Sequence, residues 1–425
     1  MDNKQFRSYK ELAQGIAYKK SQSNCYVELS ELSKRMHTKL HMPPKPPLDE
    51  MTFSVKDCFD YPDRTPTFGI QQWKNTHPKP QNKALLISRL ENAGGHLDGF
   101  TKCDQLAYSL VGNVFSASSD LESDLTQPIN PLYLDRFCGG SSSGSAASVA
   151  ERVVDFSIGV DTAGSVRVPA SSCGTYGLRS THGLINTDGC IPLAQTFDTI
   201  GLFTNSTALL QAVLEVVSAA RVPNVNHIKK ILIPEDSYAL LDEDLASTCT
   251  DFADGLSNHW KIPMEEVSMG HLTSQEVADL FTRIQSRQIW ENHGTWIEEN
   301  SGALNSEVHD RLLKVKKLYD DSSKEDIKND KMHRLKIRGE LLKLLDFEYI
   351  VALPAIPQLA PKITATEEEL NEFRQKSLRL NALSSLAGTP QIVAPCVSNE
   401  TGNIYGGSFI GAPYDDGKLI KFLSV

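Results

Sequence analysis

The stretch from Cys138 to Ala170, "CGGSSSGSAASVAERVVDFSIGVDTAGSVRVPA", constrains the fold more than any other part of the chain. Two clusters of Gly and Ser flank one apolar run that is typical of a buried helix followed by a strand. A flexible linker is polar throughout, so the apolar run argues against a linker. The pattern predicts two rigid turns, and such turns can direct backbone N–H groups at a developing negative charge.

Other glycine-rich motifs fit this stretch poorly. A phosphate-binding loop needs a Lys after its glycines, and a dinucleotide fingerprint needs Gly-x-Gly-x-x-Gly spacing. Neither is present. The letters "GSSSG" do match the Gly-x-Ser-x-Gly elbow of α/β-hydrolases, with Ser142 at the centre, but the preceding "PLYLDRF" is not the apolar strand that an elbow requires. From these residues alone, a catalytic and a structural role both remain open.

The remaining patterns predict a layered α/β core. "MTFSVKDCFD" is typical of a strand, "KALLISRLENAGGHLDGF" of a helix that ends at its glycines, and "KKILIPEDSYALLDEDL" of a strand followed by a helix. Residues 1–45 are predicted to form an N-terminal helical segment that ends at a proline-rich stretch. No repeat or long linker divides the chain, so one domain spanning 1–425 is expected.

Composition and charge exclude several classes of partner. The chain has 43 Lys and Arg against 53 Asp and Glu, a formal net charge of −10, so no basic surface for nucleic acid or anionic lipid is expected. No apolar run suits a secretory signal or a transmembrane helix, which predicts a cytoplasmic protein. The eight cysteines form no pattern of metal ligands, and neither a metal nor a cofactor is expected.

The chain resembles the amidase signature hydrolases. The resemblance is carried by "FSVKDCFD", "NPLYLDRFCGGSSSGSAASVA", "DFSIGVDTAGSVRVPASSCGTYGLRSTHG" and "GAPYDDGKLIKFL", in the family's order, and Ser165 follows Ser141 at the family's spacing. It implies a single α/β/α layered domain with a central mixed β-sheet covered by helices. The signature core would occupy 50–205, and a variable substrate-pocket region would occupy 260–410.

The resemblance also implies a catalytic triad. Ser165 matches the nucleophile, Ser141 the bridging serine that follows a cis peptide, and Lys56 the base. A serine hydroxyl attacks an amide well only when a base takes its proton, and an amine takes that part near neutral pH only where burial favours its neutral form. Ser141 would relay protons between Lys56 and Ser165.

Further positions carry over from the family. The backbone N–H groups that match the oxyanion hole belong to Thr162, Ala163, Gly164 and Ser165. The residues that match supporting positions are Gly140, Ser142, Asp161 and Arg167.

Two positions depart from the family pattern. Ala163 stands where the family usually has glycine, and its Cβ would be strained if the backbone there had positive φ. Cys138 stands where the family commonly has a proline before Gly-Gly-Ser, and it is expected to be a buried, inert thiol.

The resemblance implies an amidohydrolase that cleaves a carboxylic amide through an acyl-enzyme and releases ammonia or an amine. The stretch from Asp155 to Phe203 and the short overall length resemble the plant-type amidases that hydrolyse indole-3-acetamide. A small primary amide, such as this aryl amide, is therefore the expected substrate. A monomer or homodimer is expected. The alternatives are the A subunit of a glutamine-dependent tRNA amidotransferase, which would need partner subunits, and a non-catalytic amidase-like binding protein.

Overall fold

The computed structural model describes residues 26–29 (backbone only), 46–113, 127–218 and 228–425. Within these residues eleven strands form one sheet, in the order β1-β3-β2-β4-β6-β5-β10-β11-β9-β7-β8. In chain order, β1 to β11 are Tyr26–Leu29, Thr52–Lys56, His96–Thr101, Phe156–Asp161, Tyr176–Arg179, Thr199–Thr204, Lys230–Pro234, Met264–Val267, Tyr349–Ala352, Gln391–Val397 and Ile404–Ile410.

Twelve α-helices lie in the same described ranges. In chain order, α1 to α12 are Gln71–Thr76, Leu85–Asn92, Ser143–Ala150, Arg167–Cys173, Thr207–Ser218, Glu235–Tyr238, Glu243–Trp260, Gln275–Glu299, Ser306–Asp320, Lys324–Leu345, Glu367–Ala387 and Asp416–Phe422. Strands β3, β2 and β4 are parallel, as are β8, β7 and β9, whereas the central strands pair antiparallel. The predicted α/β fold with a central mixed sheet is confirmed.

The predicted N-terminal helical segment is wrong at residues 26–29. These residues form β1, which pairs antiparallel with β3. Tyr26 and Val27 favour extended backbone, and the edge of β3 offers N–H and C=O groups that only a strand can pair regularly. The rest of the predicted segment up to residue 45 lies outside the described residues.

Strand β4 shows how the two faces of the sheet differ. Alternate side chains of a strand point to opposite faces. Phe156, Ile158 and Val160 join the main apolar cluster, whereas Ser157 lies on the other face, where it accepts a hydrogen bond from Ser54 at 2.8 Å.

Helix α3 packs on that second face through small residues. The Ser148 hydroxyl of α3 lies 3.1 Å from the Ser54 hydroxyl, and a Cβ at Gly159 would lie 2.8 Å from the Ser142 hydroxyl. The small side chains of "SGSAASVA" and of the strands beneath therefore allow a close helix-to-sheet approach. This packing explains the Gly and Ser content of the first cluster.

The parallel pair β2 and β4 determines where the site lies. Val55 of β2 is in register with Ile158 of β4, so both strands end at the same edge of the sheet. In α/β sheets the carboxyl ends of parallel strands are where polar sites form. Lys56 ends β2, and the loop that holds Ser165 follows β4.

Candidate active site

Lys56 and Ser141 are in direct contact. The Lys56 side chain is fully buried, and its Nζ donates to Ser141 Oγ at 2.8 Å. Ser141 belongs to the GGSS loop (residues 139–142), which leads into α3. The two residues that the resemblance pairs as base and relay are therefore hydrogen-bonded.

The GGSS loop is held by backbone contacts. The Gly140–Ser141 peptide bond is cis, as the resemblance implies. Gly140 N–H donates to the Leu110 carbonyl at 3.0 Å, and Asp104 N–H donates to the Ser141 carbonyl at 3.4 Å. A Cβ at Gly140 would lie 2.4 Å from the Asp104 carboxyl, so only glycine fits there.

Ser165 lies in the DTAGSV loop (residues 161–166), between β4 and α4. Its side chain is nearly buried, with 4% of the residue exposed, and its carbonyl accepts from Ser142 N–H at 3.2 Å. This hydrogen bond joins the two loops. Within the described ranges the Ser165 hydroxyl has no hydrogen-bond partner, which leaves it available to a substrate.

The Asp161 carboxylate organises the DTAGSV loop. It accepts hydrogen bonds from the N–H groups of Gly164 and Val166, both at 3.0 Å. Arg167 and Arg179 pair with it at 2.8 and 2.9 Å. Burial alone would raise the pKa of Asp161, but the two guanidinium groups overcome that effect and hold the pKa well below its ordinary value.

The four backbone groups predicted for the oxyanion hole differ in their contacts. Gly164 N–H already donates to Asp161, whereas those of Thr162, Ala163 and Ser165 have no acceptor in the described part of the chain. The last three remain available to a developing oxyanion.

The glycine that the loop requires is the second one of the family pattern. Gly164 has φ +123°, and its absent Cβ would lie 2.9 Å from the Asn381 side chain. Ala163 is not in the left-handed region, so its Cβ causes no backbone strain.

The supporting residues occupy structural positions. Ser142 is buried where α3 begins, and its hydroxyl donates to the Val160 carbonyl at 3.4 Å. Residues 127–140 contain no strand, only an isolated bridge at Arg136, so the nucleophile elbow around Ser142 is not formed.

Arg167 is fully buried beside Asp161, and Cys138 is buried with its thiol donating to the Pro128 carbonyl.

Sequence reasoning missed two residues that hold this site. Arg179 Nη1 donates to both the carbonyl and the carboxylate of Asp161, at 2.7 and 2.9 Å. Burial lowers the pKa of Arg179 to about 10, which still leaves it charged at neutral pH. An arginine inside the buried strand "YGLR" is a sequence signal for an internal ion pair.

The second missed residue is Asp198, which precedes β6. Its carboxylate accepts the Thr162 hydroxyl at 2.6 Å, and burial raises its pKa. No sequence signal distinguishes this aspartate, because "TFDTIG" reads as an ordinary strand start.

A family model described as Amidase matches residues 15–420. The chain belongs to the amidase family. It is 30% identical to Amidase 1 of Arabidopsis thaliana over 82% of this chain and 86% of that protein. It is 28% identical to the translocon at the outer membrane of chloroplasts 64 of Pisum sativum, over 83% of this chain and 62% of that protein.

Solved structures agree on the fold. A crystal structure of an amidase superposes with a TM-score of 0.81 and 22% identity, covering 98% of this chain and 94% of that one. The solved structure supports the fold, and the family match and the 30% identical relative identify the chain as an amidase.

None of the helices that the structure describes has the length and apolar content needed to cross a membrane. The translocon relative belongs by its name to an outer membrane. The cytoplasmic location therefore stays a prediction, as do the small-molecule partner and the monomeric or homodimeric state.

Proposed function

We propose that this amidase hydrolyses a small, largely apolar primary amide through an acyl-enzyme on Ser165. The observation that carries the proposal is the 2.8 Å hydrogen bond between Lys56 Nζ and Ser141 Oγ, in a fully buried position beside the DTAGSV loop. A buried lysine amine in contact with a serine hydroxyl is the arrangement that proton transfer to a base requires.

The proposed reaction proceeds in two balanced stages. Ser165 Oγ attacks the amide carbon while its proton passes through Ser141 to Lys56, giving a tetrahedral oxyanion. The C–N bond then breaks, the same proton goes to the leaving nitrogen, and ammonia departs from the acyl-enzyme. Water then attacks the ester carbon while its proton passes through Ser141 to Lys56. The ester C–O bond breaks, the proton returns from Lys56 to Ser165 Oγ, and the carboxylic acid leaves.

The proton path contains one step that depends on substrate binding. Ser141 contacts Lys56 directly, whereas the Ser165 hydroxyl has no partner among the described residues. Catalytic hydrogen bonds often shorten only once a substrate is bound. The Ser142 to Ser165 backbone hydrogen bond keeps the two loops together until then.

The surroundings of Ala163 support an apolar acyl group. Ala163 belongs to a buried apolar cluster whose other members include Val111, Phe137, Phe197 and Phe281. A charged acyl group placed against these apolar side chains would lose its hydration without gaining a charge partner from them. An aryl acetamide such as indole-3-acetamide suits this environment better than glutamine does.

The experiment is an ammonia-release screen with indole-3-acetamide, benzamide, aliphatic amides, ureas and glutamine. Wild-type protein is expected to release ammonia from at least one aryl amide, and Ser165→Ala to abolish that release. A fluorophosphonate should label Ser165, as peptide mass spectrometry will show. Label on Ser142, or hydrolysis of glutamine alone, would contradict the proposal.

The relative from the chloroplast translocon keeps a second candidate function open, a non-catalytic binding protein. The Lys56–Ser141 contact and the available Ser165 hydroxyl argue against it. Absence of both ammonia release and fluorophosphonate labelling would favour the binding protein.

A further inference from the structure

Thr162 and Asp198 form a buried hydrogen-bonded pair at the start of the DTAGSV loop. The Thr162 hydroxyl donates to Asp198 Oδ1 at 2.6 Å, and both residues are at least nine-tenths buried. Their neighbours Asp161 and Thr199 pair in the ladder between β4 and β6. The contact therefore continues the sheet through side chains, one residue past the last backbone pair.

The two ends of the DTAGSV loop are held by different carboxylates. Asp161 accepts the N–H groups of Gly164 and Val166, which fixes the second half of the loop. In the first half, Arg179 holds the Asp161 carbonyl and the Thr162 side chain is the next anchor, because the Thr162 and Ala163 N–H groups have no acceptor within the described residues. Rotation of the Thr162–Ala163 peptide would turn the Ala163 N–H away from a bound substrate.

Asp198 is itself rigidly held. Its Oδ2 accepts the N–H groups of Leu193 and Ala194 at 2.8 and 2.9 Å. Arg179, which also binds Asp161, donates to the carbonyl of Phe197 at 3.0 Å. Both carboxylate oxygens of Asp198 are therefore used, and the carboxylate has no freedom to act on substrate.

Helix α8 holds the segment 192–196 that carries these donors. His293 bonds the Pro192 carbonyl at 2.6 Å, Asn292 donates to the Leu193 carbonyl at 3.1 Å, and Gln288 accepts from Thr196 N–H at 2.9 Å. Helix α8 belongs to the predicted variable region 260–410. A continuous series of hydrogen bonds thus runs from the variable region to the DTAGSV loop.

We propose that Asp198 is a positioning residue which, through the Thr162 hydroxyl, sets the orientation of the Thr162–Ala163 peptide and so of the Ala163 N–H group for oxyanion binding. This rests on the proposed function, because it assumes that the oxyanion forms at Ser165. Asp198 contacts neither the substrate nor the reacting atoms. Its effect is therefore on the transition state and not on binding of the ground-state amide.

The test is a double-mutant cycle of Thr162→Val and Asp198→Asn, with Thr162→Ser as the conservative variant. Each of the first two should lower kcat about 10- to 100-fold, somewhat less than loss of an oxyanion donor, and change KM less than threefold. The double variant should be no worse than the poorer single variant. Thr162→Ser keeps the hydroxyl, so if Thr162→Val loses a hundredfold in kcat, the kcat of Thr162→Ser should be at least tenfold higher than that of Thr162→Val.

A second pair in the chain provides the matched control. The Thr181 hydroxyl donates to the buried Asp416 carboxylate at 2.5 Å and accepts from Tyr414 N–H at 2.8 Å, and within the described residues no hydrogen bond joins it to either loop. Thr181→Val should lower the melting temperature at least as much as Thr162→Val but leave kcat within twofold. Equal kcat losses in the two Thr→Val variants would overturn the proposal, because the effect would then be general destabilisation.

Hydrogen–deuterium exchange separates this proposal from the proposed function. In Thr162→Val and Asp198→Asn, the peptide covering 160–168 should exchange at least fivefold faster than in wild type, while Thr181→Val leaves it unchanged. Unchanged exchange in all three would overturn the positioning role. A wild type that releases no ammonia would instead refute the proposed function, and the exchange measurement would still decide the positioning.

Discussion

The GGSS loop and the DTAGSV loop meet at one site but are held in place by different forces. The GGSS loop is fixed by backbone hydrogen bonds and by small residues, as at Gly140, where no side chain fits. The DTAGSV loop is fixed by charge, because Asp161 binds its N–H groups and two arginines neutralise Asp161. Added volume should therefore disturb the first loop, and altered charge the second.

The largest expected effect tests whether the two loops form one catalytic unit. Lys56→Met keeps the length of the side chain and removes the amine, so kcat on the best amide should fall about 10²- to 10⁴-fold. Folding should be preserved, because methionine suits a buried position. The measurement is steady-state kinetics together with a thermal melt.

Lys418→Met is the matched control for a buried lysine. Lys418 pairs with Asp415 at 2.7 Å and donates to the Phe347 carbonyl, in a helix outside both loops. It should lose stability while kcat stays within threefold. If Lys56→Met retains wild-type kcat, the amine has no role as base.

The next effect concerns charge in the DTAGSV loop. Asp161→Asn leaves Arg167 and Arg179 buried without a full counter-charge, which should lower the free energy of unfolding by about 3–5 kcal/mol. Urea denaturation at pH 7 measures this loss. Because the same carboxylate accepts the N–H of Gly164, kcat should fall as well.

Asp330 supplies the control, since it also pairs with two arginines, Arg283 and Arg287, at 2.9 and 2.6 Å. Arg283 is substantially exposed, so solvent screens its pair with Asp330, whereas Arg287 and Asp330 are both buried. Asp330→Asn should therefore lower the free energy of unfolding by less than Asp161→Asn does. A similar loss in both variants would show that burial of the Asp161 cluster adds nothing.

The two loops also show which structural features can be predicted from the sequence. The strands, the two turns and the contact of Lys56 with Ser141 follow from short motifs, because each depends on neighbouring residues or on a family pattern. The Thr162–Asp198 contact was not predicted, because it joins residues 36 positions apart with no local signal. The N-terminal segment was predicted helical, yet residues 26–29 are extended, since pairing with β3 outweighs local preference.

Asp416 is a buried aspartate that contrasts with Asp161, because its pKa is raised whereas that of Asp161 is lowered. It accepts two hydrogen bonds from Thr181, but no lysine or arginine of the described residues pairs with it, and burial raises its pKa from about 3.8 to about 6. The folded state therefore binds this proton more tightly than the unfolded chain does. The stabilisation that the protonated Asp416 carboxyl contributes is largely present below about pH 4 and is lost as the pH rises through about 6.

Asp416→Asn should remove this pH dependence. The difference in free energy of unfolding between variant and wild type should shift by roughly 2 kcal/mol in favour of the variant between pH 4 and pH 7. Urea titrations at several pH values measure it, and all other titrating groups cancel in the difference. Parallel pH curves for the two proteins would show that Asp416 does not titrate in this range.

The smallest effect tests volume beneath the GGSS loop. A Cβ at Gly159 would lie 2.8 Å from the Ser142 hydroxyl and 2.9 Å from the Phe203 ring, and neither can withdraw without moving α3 or the sheet. Gly159→Ala should therefore cost about 1–3 kcal/mol and lower kcat by displacing Ser141. Gly255→Ala, in the exposed part of α7 with open space around its Cβ position, should instead gain up to about 1 kcal/mol. If both alanine variants are more stable than wild type, the close approach of α3 to β4 does not limit packing. Small residues would then not be what holds the GGSS loop in place.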